Sequence, residues 1–399
     1  MISFGLYRKI QVFLIGAFVV LLPNSPDHIK LGSLLLFISS LLLVVSIPTL
    51  MKQQLRWNAG AVILIAWFLL KLLGCIQVEN LELGFRAVFL KIPFLLLPLI
   101  LLSLSLSRKE IFDQLKLFIL GAVIASLTAI LYGLFRTFYF GSFEYMVYSE
   151  LSPFLDPSYL GLYLNFAFYL VVYRLQKEDF NRKLWLFYLV VFSLTIILLL
   201  SRNAMIILGL NLFYLSYVLL KKRQWALFLS KYALLFSIAF IVLQNERVVL
   251  RVKSAVNYFD SESTAQNERS FNTRIEVWKN TVELISENKL IGVGTGVERE
   301  ELAELYERDG FQKAKESGYN THNQLLQTVL AHGAFGALLI LLVFVVPFLS
   351  KTQILQAEFL LPFLIICFVS FFTESILERQ AGVFFFACFY SLLTLKPND

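Results

Sequence analysis

Long apolar runs, repeated along the whole chain, constrain the fold of this protein more than any other feature. A helix needs about 20 mostly apolar residues to cross a bilayer core about 30 Å thick. Twelve runs are near that length, at 10–22, 31–50, 59–75, 87–106, 115–139, 159–173, 184–200, 203–220, 225–243, 323–349, 354–372 and 381–395. They do not alternate apolar and polar residues, as barrel strands would. The pattern predicts an all-α, polytopic membrane protein of about twelve transmembrane helices.

The composition agrees with a membrane location. Hydrophobic residues make up 58% of the chain and charged residues 16%, whereas soluble proteins carry about 25% charged residues. The first run follows Arg8 and Lys9 without a small-residue cleavage site, so we expect a retained helix rather than a signal peptide. The three cysteines, Cys75, Cys367 and Cys388, lie in apolar runs at spacings that do not form a zinc site.

The charges of the connections predict the orientation. Cytoplasmic loops carry an excess of Lys and Arg, and alternate connections here are basic. The basic positions are Arg8, Lys9, Lys52, Arg56, Arg108, Lys109, Arg174, Lys177, Arg182, Lys183, Lys221, Lys222, Arg223, Lys351 and Lys396. An intervening connection, "GSFEYMVYSELSPFLDPS", has no Lys or Arg. Both termini are therefore expected in the cytoplasm.

One outer connection is far longer than the others and divides the chain into three parts. Helices are expected at 1–243 and 322–399, with a 78-residue loop at 244–321 that holds 11 basic and 14 acidic residues. Ile275, Trp278, Val282 and Ile285 recur at helical spacing and predict an amphipathic helix. "EREELAELYERDGFQKAKES" predicts a second, charged helix, and the loop could lie on the outer membrane face as a lid.

Several cations break the basic-inside pattern at the outer side of the membrane. They are Lys71, Arg86, Lys91, Arg136, Arg202, Arg274 and Arg379. Ionisable residues at membrane depth are functional candidates because they are costly in lipid, and Arg suits phosphate oxygens. A structural interpretation stays open: Lys71, Lys91 and Arg136 could extend to the headgroups, and Arg274 could be an ordinary solvated charge.

His322 opens the helix that re-enters the membrane after the long loop, and the chain has only two other histidines, His28 and His332. Thr321 is expected to cap that helix and to place His322 in its first turn, where the helix dipole favours the neutral imidazole needed by a general base. The alternative is a histidine that only caps or packs. His332 is expected to pack, and the spacing of the two histidines does not suit a metal.

Two further segments have plain structural interpretations. "IGVGTG" neither follows a strand nor opens a βαβ unit, so it is expected to end the preceding helix and form a flexible turn. "FFTESILERQAG" carries Glu374, Glu378 and Arg379 around the last outer turn, where an internal ion pair is expected.

These motifs, in this order, resemble the O-antigen ligase/polymerase superfamily of bacterial envelope glycosyltransferases. "NTRIEVWKNTVELISENKLIGVGTG" followed by "THNQLLQTVLAHGAFGALL" carries the pattern, and the best match covers 271–349. Its positions are Arg274, Gly292, Gly294, His322, Asn323, Gly333 and Gly336, and "LLLSRNAM" around Arg202 resembles the Ser-Arg turn of the family.

The resemblance implies a GT-C-like fold and a reaction at the outer face of the bacterial inner membrane. A glycan would pass from undecaprenyl diphosphate to the lipid A-core, or to a second carrier-linked repeat, with no metal, cofactor or nucleic-acid partner. His322 would act on the acceptor hydroxyl, and Arg202 and Arg274 would bind the diphosphate. Asn323 would orient His322 or the sugar, with Arg86, Lys91, Arg136 and Arg379 as further substrate-binding candidates.

Three competing functions stay open. A polymerase shares every residue above and differs from a ligase in its acceptor. A transporter of a lipid-linked sugar or small anion also fits twelve helices, although transporters often show two related halves. The third alternative is a catalytically inactive homologue that acts as an assembly partner.

Overall fold

The computed structural model describes residues 3–24, 31–47, 57–177, 181–225, 228–229, 268–349 and 356–398. Within these ranges the secondary structure is helical. The helices are α1 Phe4–Leu21, α2 Leu31–Val45, α3 Ala59–Leu73, α4 Leu81–Lys91, α5 Pro93–Leu104, α6 Arg108–Phe140, α7 Pro157–Lys177, α8 Arg182–Leu198, α9 Arg202–Lys221, α10 Glu268–Glu287, α11 Glu298–Arg308, α12 Gln312–Glu316, α13 Gln324–Leu349, α14 Leu361–Thr373 and α15 Gln380–Thr394. The predicted all-α class is confirmed.

Five helical stretches in the described residues are long and apolar enough to cross a membrane. They are Phe4–Asn24, Leu81–Leu104, Arg108–Phe140, Arg202–Lys221 and Gln324–Leu349. Shorter apolar helices occupy Gly32–Val45, Ala59–Leu73, Glu358–Thr373 and Gln380–Thr394. The protein is therefore a multi-pass membrane protein, but the count of about twelve spans is not confirmed. The span predicted at 225–243 lies almost wholly outside the described residues.

Several boundaries differ from the hydropathy pattern for local reasons. α1 begins at Phe4 rather than near residue 10, because the Ser3 side chain accepts a hydrogen bond from the Leu6 amide and caps the helix. The run at 87–106 is divided between α4 and α5, with Pro93 as the first residue of α5. α6 extends through 33 residues, well beyond the length that spans a bilayer core.

The described chain forms two compact units, Met1–Gly121 with Val277–Asp399, and Ala122–Glu276. In the first unit, α15 is the central helix, and all its residues from 382 to 394 are buried. Its Phe386 ring lies 6.2 Å from the rings of Trp67 in α3 and Phe94 in α5. Aromatic packing around α15 therefore holds the helices that carry the site described below.

The second unit is organised around α7, whose side chains are buried along most of its length. Asn165 in α7 donates from its amide nitrogen to the Ala204 carbonyl at 3.0 Å. Asn211 donates to the Asn165 amide oxygen at 3.1 Å. These side-chain hydrogen bonds join α7 to α9 inside an otherwise apolar interface, where a polar group without a partner is costly.

The loop helices α10 and α11 form their own small core with α13. Its buried residues are Val277, Leu284, Leu302, Tyr306, Ala314 and Leu330. The predicted amphipathic helix is confirmed as α10, but part of the predicted apolar face is wrong, because Val282 is 54% exposed. Burial follows the line of Val277, Thr281 and Leu284 instead, since this line faces α11 and Leu330.

Candidate active site

His322 lies just outside the helix that it was expected to open. α13 begins at Gln324, and the Asn323 side-chain oxygen accepts from the amides of Leu325 and Leu326 at 2.9 and 3.1 Å. Asn323 is therefore the N-cap, and the prediction that Thr321 caps the helix with His322 in its first turn is wrong. His322 has a φ of 45°, a left-handed conformation that is uncommon for non-glycine residues.

The imidazole of His322 has a carboxylate partner. Its Nδ1 lies 3.1 Å from Glu374 Oε1 and 3.3 Å from Glu374 Oε2. An ionised carboxylate only accepts hydrogen bonds, so with Glu374 ionised Nδ1 is the donor, and Nε2 of a neutral ring is then the acceptor. The side chains are 31% and 23% exposed, so the pair is reachable from outside the fold.

A short segment at 374–378, here called the acidic turn, supplies Glu374. The Ser375 hydroxyl lies 3.1 Å from the Thr321 hydroxyl and accepts from the Asn323 amide at 3.2 Å. Thr321 also donates to the Asn323 carbonyl at 2.8 Å. These contacts fix the backbone on both sides of His322 relative to the residue that follows Glu374.

The other end of the acidic turn lies against two buried groups. The Gln324 side-chain oxygen accepts from the Leu377 amide at 2.7 Å, and its amide nitrogen lies 3.4 Å from Glu378 Oε1. Lys91 Nζ lies 3.3 Å from the same Glu378 oxygen and also donates to the Leu377 carbonyl. Burial by itself would raise the pKa of Glu378, but the charges of Lys91 and Lys71 outweigh it and lower the pKa.

The two lysines expected near the membrane surface point inward instead. Lys91 is 1% exposed, and Lys71 is buried in an ion pair with Glu298, whose Oε1 lies 3.2 Å from Lys71 Nζ. The alternative that these lysines extend to the headgroups is wrong for both. A buried ammonium is tolerated because a carboxylate replaces part of its water, and Lys91 also has the Leu377 carbonyl.

The glycine-rich segment is fixed in place rather than a flexible turn. Val293 and Gly294 donate their amides to the carbonyls of Leu330 and Ala331 at 2.9 and 3.1 Å. α13 breaks at Gly333, where φ is 56°, and the next amide donates to Lys289 O at 2.9 Å. The segment thus satisfies backbone groups that the break in a membrane helix exposes, and the prediction of a flexible turn is wrong.

Backbone conformation explains the glycines of this segment. Gly292 has a φ of 72°, and a Cβ there would overlap the backbone of Ala331 and His332. The same is true of Gly333, where a Cβ would meet the backbone of Leu290. Both positions combine a left-handed conformation with close backbone approach, which glycine alone allows without strain. Beyond them, the Thr295 hydroxyl donates to the Lys71 carbonyl at 2.7 Å.

The remaining predicted cations fall into two groups. In the first unit, Arg86 is exposed and pairs with Glu82 at 2.6 Å, and Arg379 is the exposed residue before α15. The second unit holds Arg136, Arg202 and Arg274.

Each cation of the second unit has a defined local setting. Arg136 pairs with Glu150 at 2.7 Å, and its guanidinium carbon lies 4.0 Å from the Tyr145 ring centroid. Arg202 begins α9, whose N-cap is Ser201. Arg274 lies in α10, and its role, like those of the other cations, stays a prediction.

The structure thus brings His322 and Asn323 together with residues that the motifs did not assign to the site. These are Glu374, the Ser375 hydroxyl, Gln324 and Glu378, which pairs with the predicted substrate-binding residue Lys91. The sequence signal for Glu374 is a carboxylate at the outer end of an apolar run, the same signal that selected the cations. In the described part of the chain, no cluster of three His, Cys, Asp or Glu side chains could hold a metal ion.

Comparison with protein families identifies the segment that contains His322 and Asn323. Residues 187–342 match the family described as O-Antigen ligase. This match supports the O-antigen ligase/polymerase superfamily for that segment. The matched segment contains Arg202, Arg274, His322 and Asn323, so the resemblance drawn from the motifs is confirmed. No curated protein matches the chain as a whole. The acidic turn lies beyond the matched segment.

Proposed function

We propose that this protein is a glycosyltransferase of the ligase type that moves a glycan from undecaprenyl diphosphate to the lipid A-core. The reaction would occur at the periplasmic face of the bacterial inner membrane, with both termini in the cytoplasm. The observation that carries the proposal is the His322–Glu374 pair at the start of a membrane helix, with His322 inside the segment that matches the O-antigen ligase family.

The pair provides the geometry of a general base. Glu374 accepts a hydrogen bond from Nδ1–H, so Nε2 of His322 is left to take the proton of the acceptor hydroxyl. The hydroxyl oxygen then forms a bond to the anomeric carbon while the bond from that carbon to the diphosphate oxygen breaks. Undecaprenyl diphosphate leaves with the bonding electrons. Direct displacement at an α-linked donor inverts the anomeric configuration.

Positive charge is required where the diphosphate leaves, and arginine suits that role. We assign it to Arg202 and Arg274, with Arg86, Arg136 and Arg379 as secondary candidates. Lys91 is better suited to a structural role than to binding the diphosphate, because its ammonium is enclosed with Glu378 and the Leu377 carbonyl. Asn323 would act through the backbone, since its side chain already caps α13.

The loop helices would limit water at the reacting carbon, where water would hydrolyse the donor. α10 is tied to the segment around His322, because the Trp278 indole donates to the Thr321 carbonyl at 2.8 Å. The small core around Val277 and Leu302 holds α10 and α11 against α13. A loop with its own core can keep a fixed position over bound substrates.

A polymerase that extends a carrier-linked glycan is the second candidate, because the matched superfamily includes both reactions. The two functions share the base and the leaving group and differ only in the acceptor. A transporter would need neither a base nor an acceptor, so it is the outcome favoured if no transfer occurs.

The test uses purified protein, a lipid-diphosphate-linked glycan and two acceptors offered separately, lipid A-core and a carrier-linked repeat. We expect transfer to lipid A-core by the wild-type protein. His322→Ala should reduce the rate by about 10²- to 10⁴-fold, as expected for loss of a general base. Arg308→Ala, on the outer face of the loop helices, serves as the matched surface control and should keep the wild-type rate.

Three outcomes would change the proposal. Extension of the carrier-linked repeat alone would identify a polymerase. Full activity of His322→Ala would exclude a base at this position. Folded wild-type protein that transfers to neither acceptor would contradict the enzyme and favour transport.

A further inference from the structure

Hydrogen bonds between the acidic turn and the residues next to His322 hold both partners of the His322–Glu374 pair in place. Gln324 follows His322 and Asn323 in the chain, and its side chain binds the Leu377 amide at the far end of the turn. Ser375 binds the Asn323 amide at the near end. The distance between the imidazole and its carboxylate therefore depends on where the acidic turn sits against α13.

Lys91 holds the turn from a third direction. Its ammonium reaches out of α4 to the Leu377 carbonyl and to Glu378 Oε1. Gln324 contacts the same Glu378 oxygen at 3.4 Å. The side chains of Lys91 and Gln324 thus both contact the carboxylate of Glu378, which lies three residues after Ser375. Lys91 has no exposed surface from which to bind a substrate, being 1% exposed.

A buried ion pair is a poor way to gain stability, since desolvation of two charges can exceed their attraction. A buried ion pair is better suited to fixing geometry, because an ammonium enclosed with one carboxylate and one carbonyl can adopt few other positions. Fixed geometry is also what an imidazole base needs from its carboxylate partner.

We propose that Lys91 and Glu378 are positioning residues that hold the acidic turn so that Glu374 fixes the tautomer of His322. This inference deepens the proposed function and rests on it for the role of His322 as a base. The Nδ1–H tautomer leaves Nε2 directed away from Glu374. Displacement of the turn would release the ring to the Nε2–H tautomer, which has no lone pair at the nitrogen that must take the proton.

The chain offers a matched control in Lys71 and Glu298. This second buried lysine–glutamate pair lies in the same unit and has a similar 3.2 Å contact, but its carboxylate also accepts from the Gly296 amide. It therefore holds the glycine-rich segment rather than the acidic turn. Glu298→Gln and Glu378→Gln remove the same group from two buried lysines, although the carboxylate side chains are 6% and 16% exposed. Different consequences are expected for His322.

The experiment reads the tautomer directly. The full chain, labelled with ¹⁵N-histidine in lipid nanodiscs, contains only three histidines, so His322→Asn assigns the His322 signals. At a pH that gives neutral imidazole spectra, protonated and unprotonated ring nitrogens differ widely in ¹⁵N shift. We expect Nδ1–H for His322 in the wild type and a shift of population to Nε2–H in Lys91→Met and Glu378→Gln. Glu298→Gln should retain the wild-type signal.

The double variant Lys91→Met/Glu378→Gln keeps the proposal testable if a single variant fails to fold, because it leaves neither charge of this pair buried without its partner. It should show the same loss of Nδ1–H as the single variants. Retention of the wild-type tautomer in a folded double variant would overturn the proposal. An equal shift in Glu298→Gln would also overturn it, because the effect would then belong to any buried charge.

The readout does not require transfer, so the two proposals can fail separately. If transfer is observed, the positioning variants should lower kcat by on the order of 10- to 100-fold, as for other groups that orient a catalytic ligand, with little change in KM. A tautomer shift without transfer activity would support the positioning role and contradict the proposed function. Reduced transfer with an unchanged tautomer would contradict the positioning role alone.

Discussion

Ion pairs occur both in the protein interior near His322 and on the exposed faces of the loop helices. The first are shielded from solvent and the second are open to it. Lys91–Glu378 and Lys71–Glu298 are enclosed by protein, whereas Arg308 is about half exposed and contacts Glu283 at 2.7 Å and Asp309 at 2.8 Å. Distance alone would rank the exposed contacts as the stronger ones. Solvent reverses that order, because exposed pairs are screened and contribute little, while a broken buried pair leaves a charge without water.

The comparison separates geometry from stability. Water can replace the contacts of the exposed pairs at a small cost in free energy. These pairs therefore do not determine where the loop helices lie. That position depends on the apolar core of Val277, Leu302 and Leu330. The buried pairs occur where two separate chain segments must meet in one arrangement, the acidic turn against α4 and the glycine-rich segment against α3.

Breaking the Lys91–Glu378 pair should have the largest effect on stability. Lys91→Met leaves a buried carboxylate without its cation and should reduce the free energy of unfolding by about 3–5 kcal/mol. The double variant Lys91→Met/Glu378→Gln should recover a large part of that loss. Unfolding in mixed micelles measures both. Equal losses in the single and double variants would show that the pair is not coupled.

Glycine substitutions sharpen the comparison at the level of the backbone. Gly292 and Gly310 have nearly the same φ, 72° and 70°, but only Gly292 lacks space for a Cβ. Alanine at either position should cost roughly 1 kcal/mol for the left-handed conformation. Gly292→Ala should cost more, about 1–3 kcal/mol in addition. Equal unfolding free energies for the two variants would contradict the close packing of the glycine-rich segment.

Acid should weaken the Lys91–Glu378 pair. Burial opposes ionisation of Glu378, but Lys91 and Lys71 lower its pKa to about 2 from an ordinary value of 4.5. A lowered pKa stabilises the folded state fully above the unfolded value, and this contribution declines as the pH falls from about 4.5 toward 2. Glu378→Gln should therefore have a flatter stability profile below pH 5 than the wild type. Parallel profiles would exclude this linkage.

The smallest effect is expected on the exposed face. Hydrogen bonding to Arg308 lowers the pKa of Glu283, but both groups are open to solvent. Arg308→Ala should leave the thermal midpoint within experimental scatter, and added salt should remove any difference. A large, salt-insensitive loss would place this pair with the buried ones.

The sequence by itself determined the membrane class, the loop helices and the resemblance to the superfamily. Apolar runs and helical periodicity depend only on residues that are close together in the chain, so they can be recognised without knowledge of the fold. The motif around His322 and Asn323 also lies in one continuous segment. Arg202 and Arg274 could be selected as candidates for the same reason, because a cation near the membrane is unusual wherever the chain leads.

Only the tertiary structure decided which partners those residues meet. Glu374 lies 52 residues after His322 in the chain, and Lys91 lies 287 residues before Glu378. No local pattern records such distances. The inward direction of Lys71 and Lys91 and the fixed glycine-rich segment both depend on groups from other segments of the chain. The physical reason is that a buried polar atom must find a partner wherever packing provides one, and packing is a property of the whole fold.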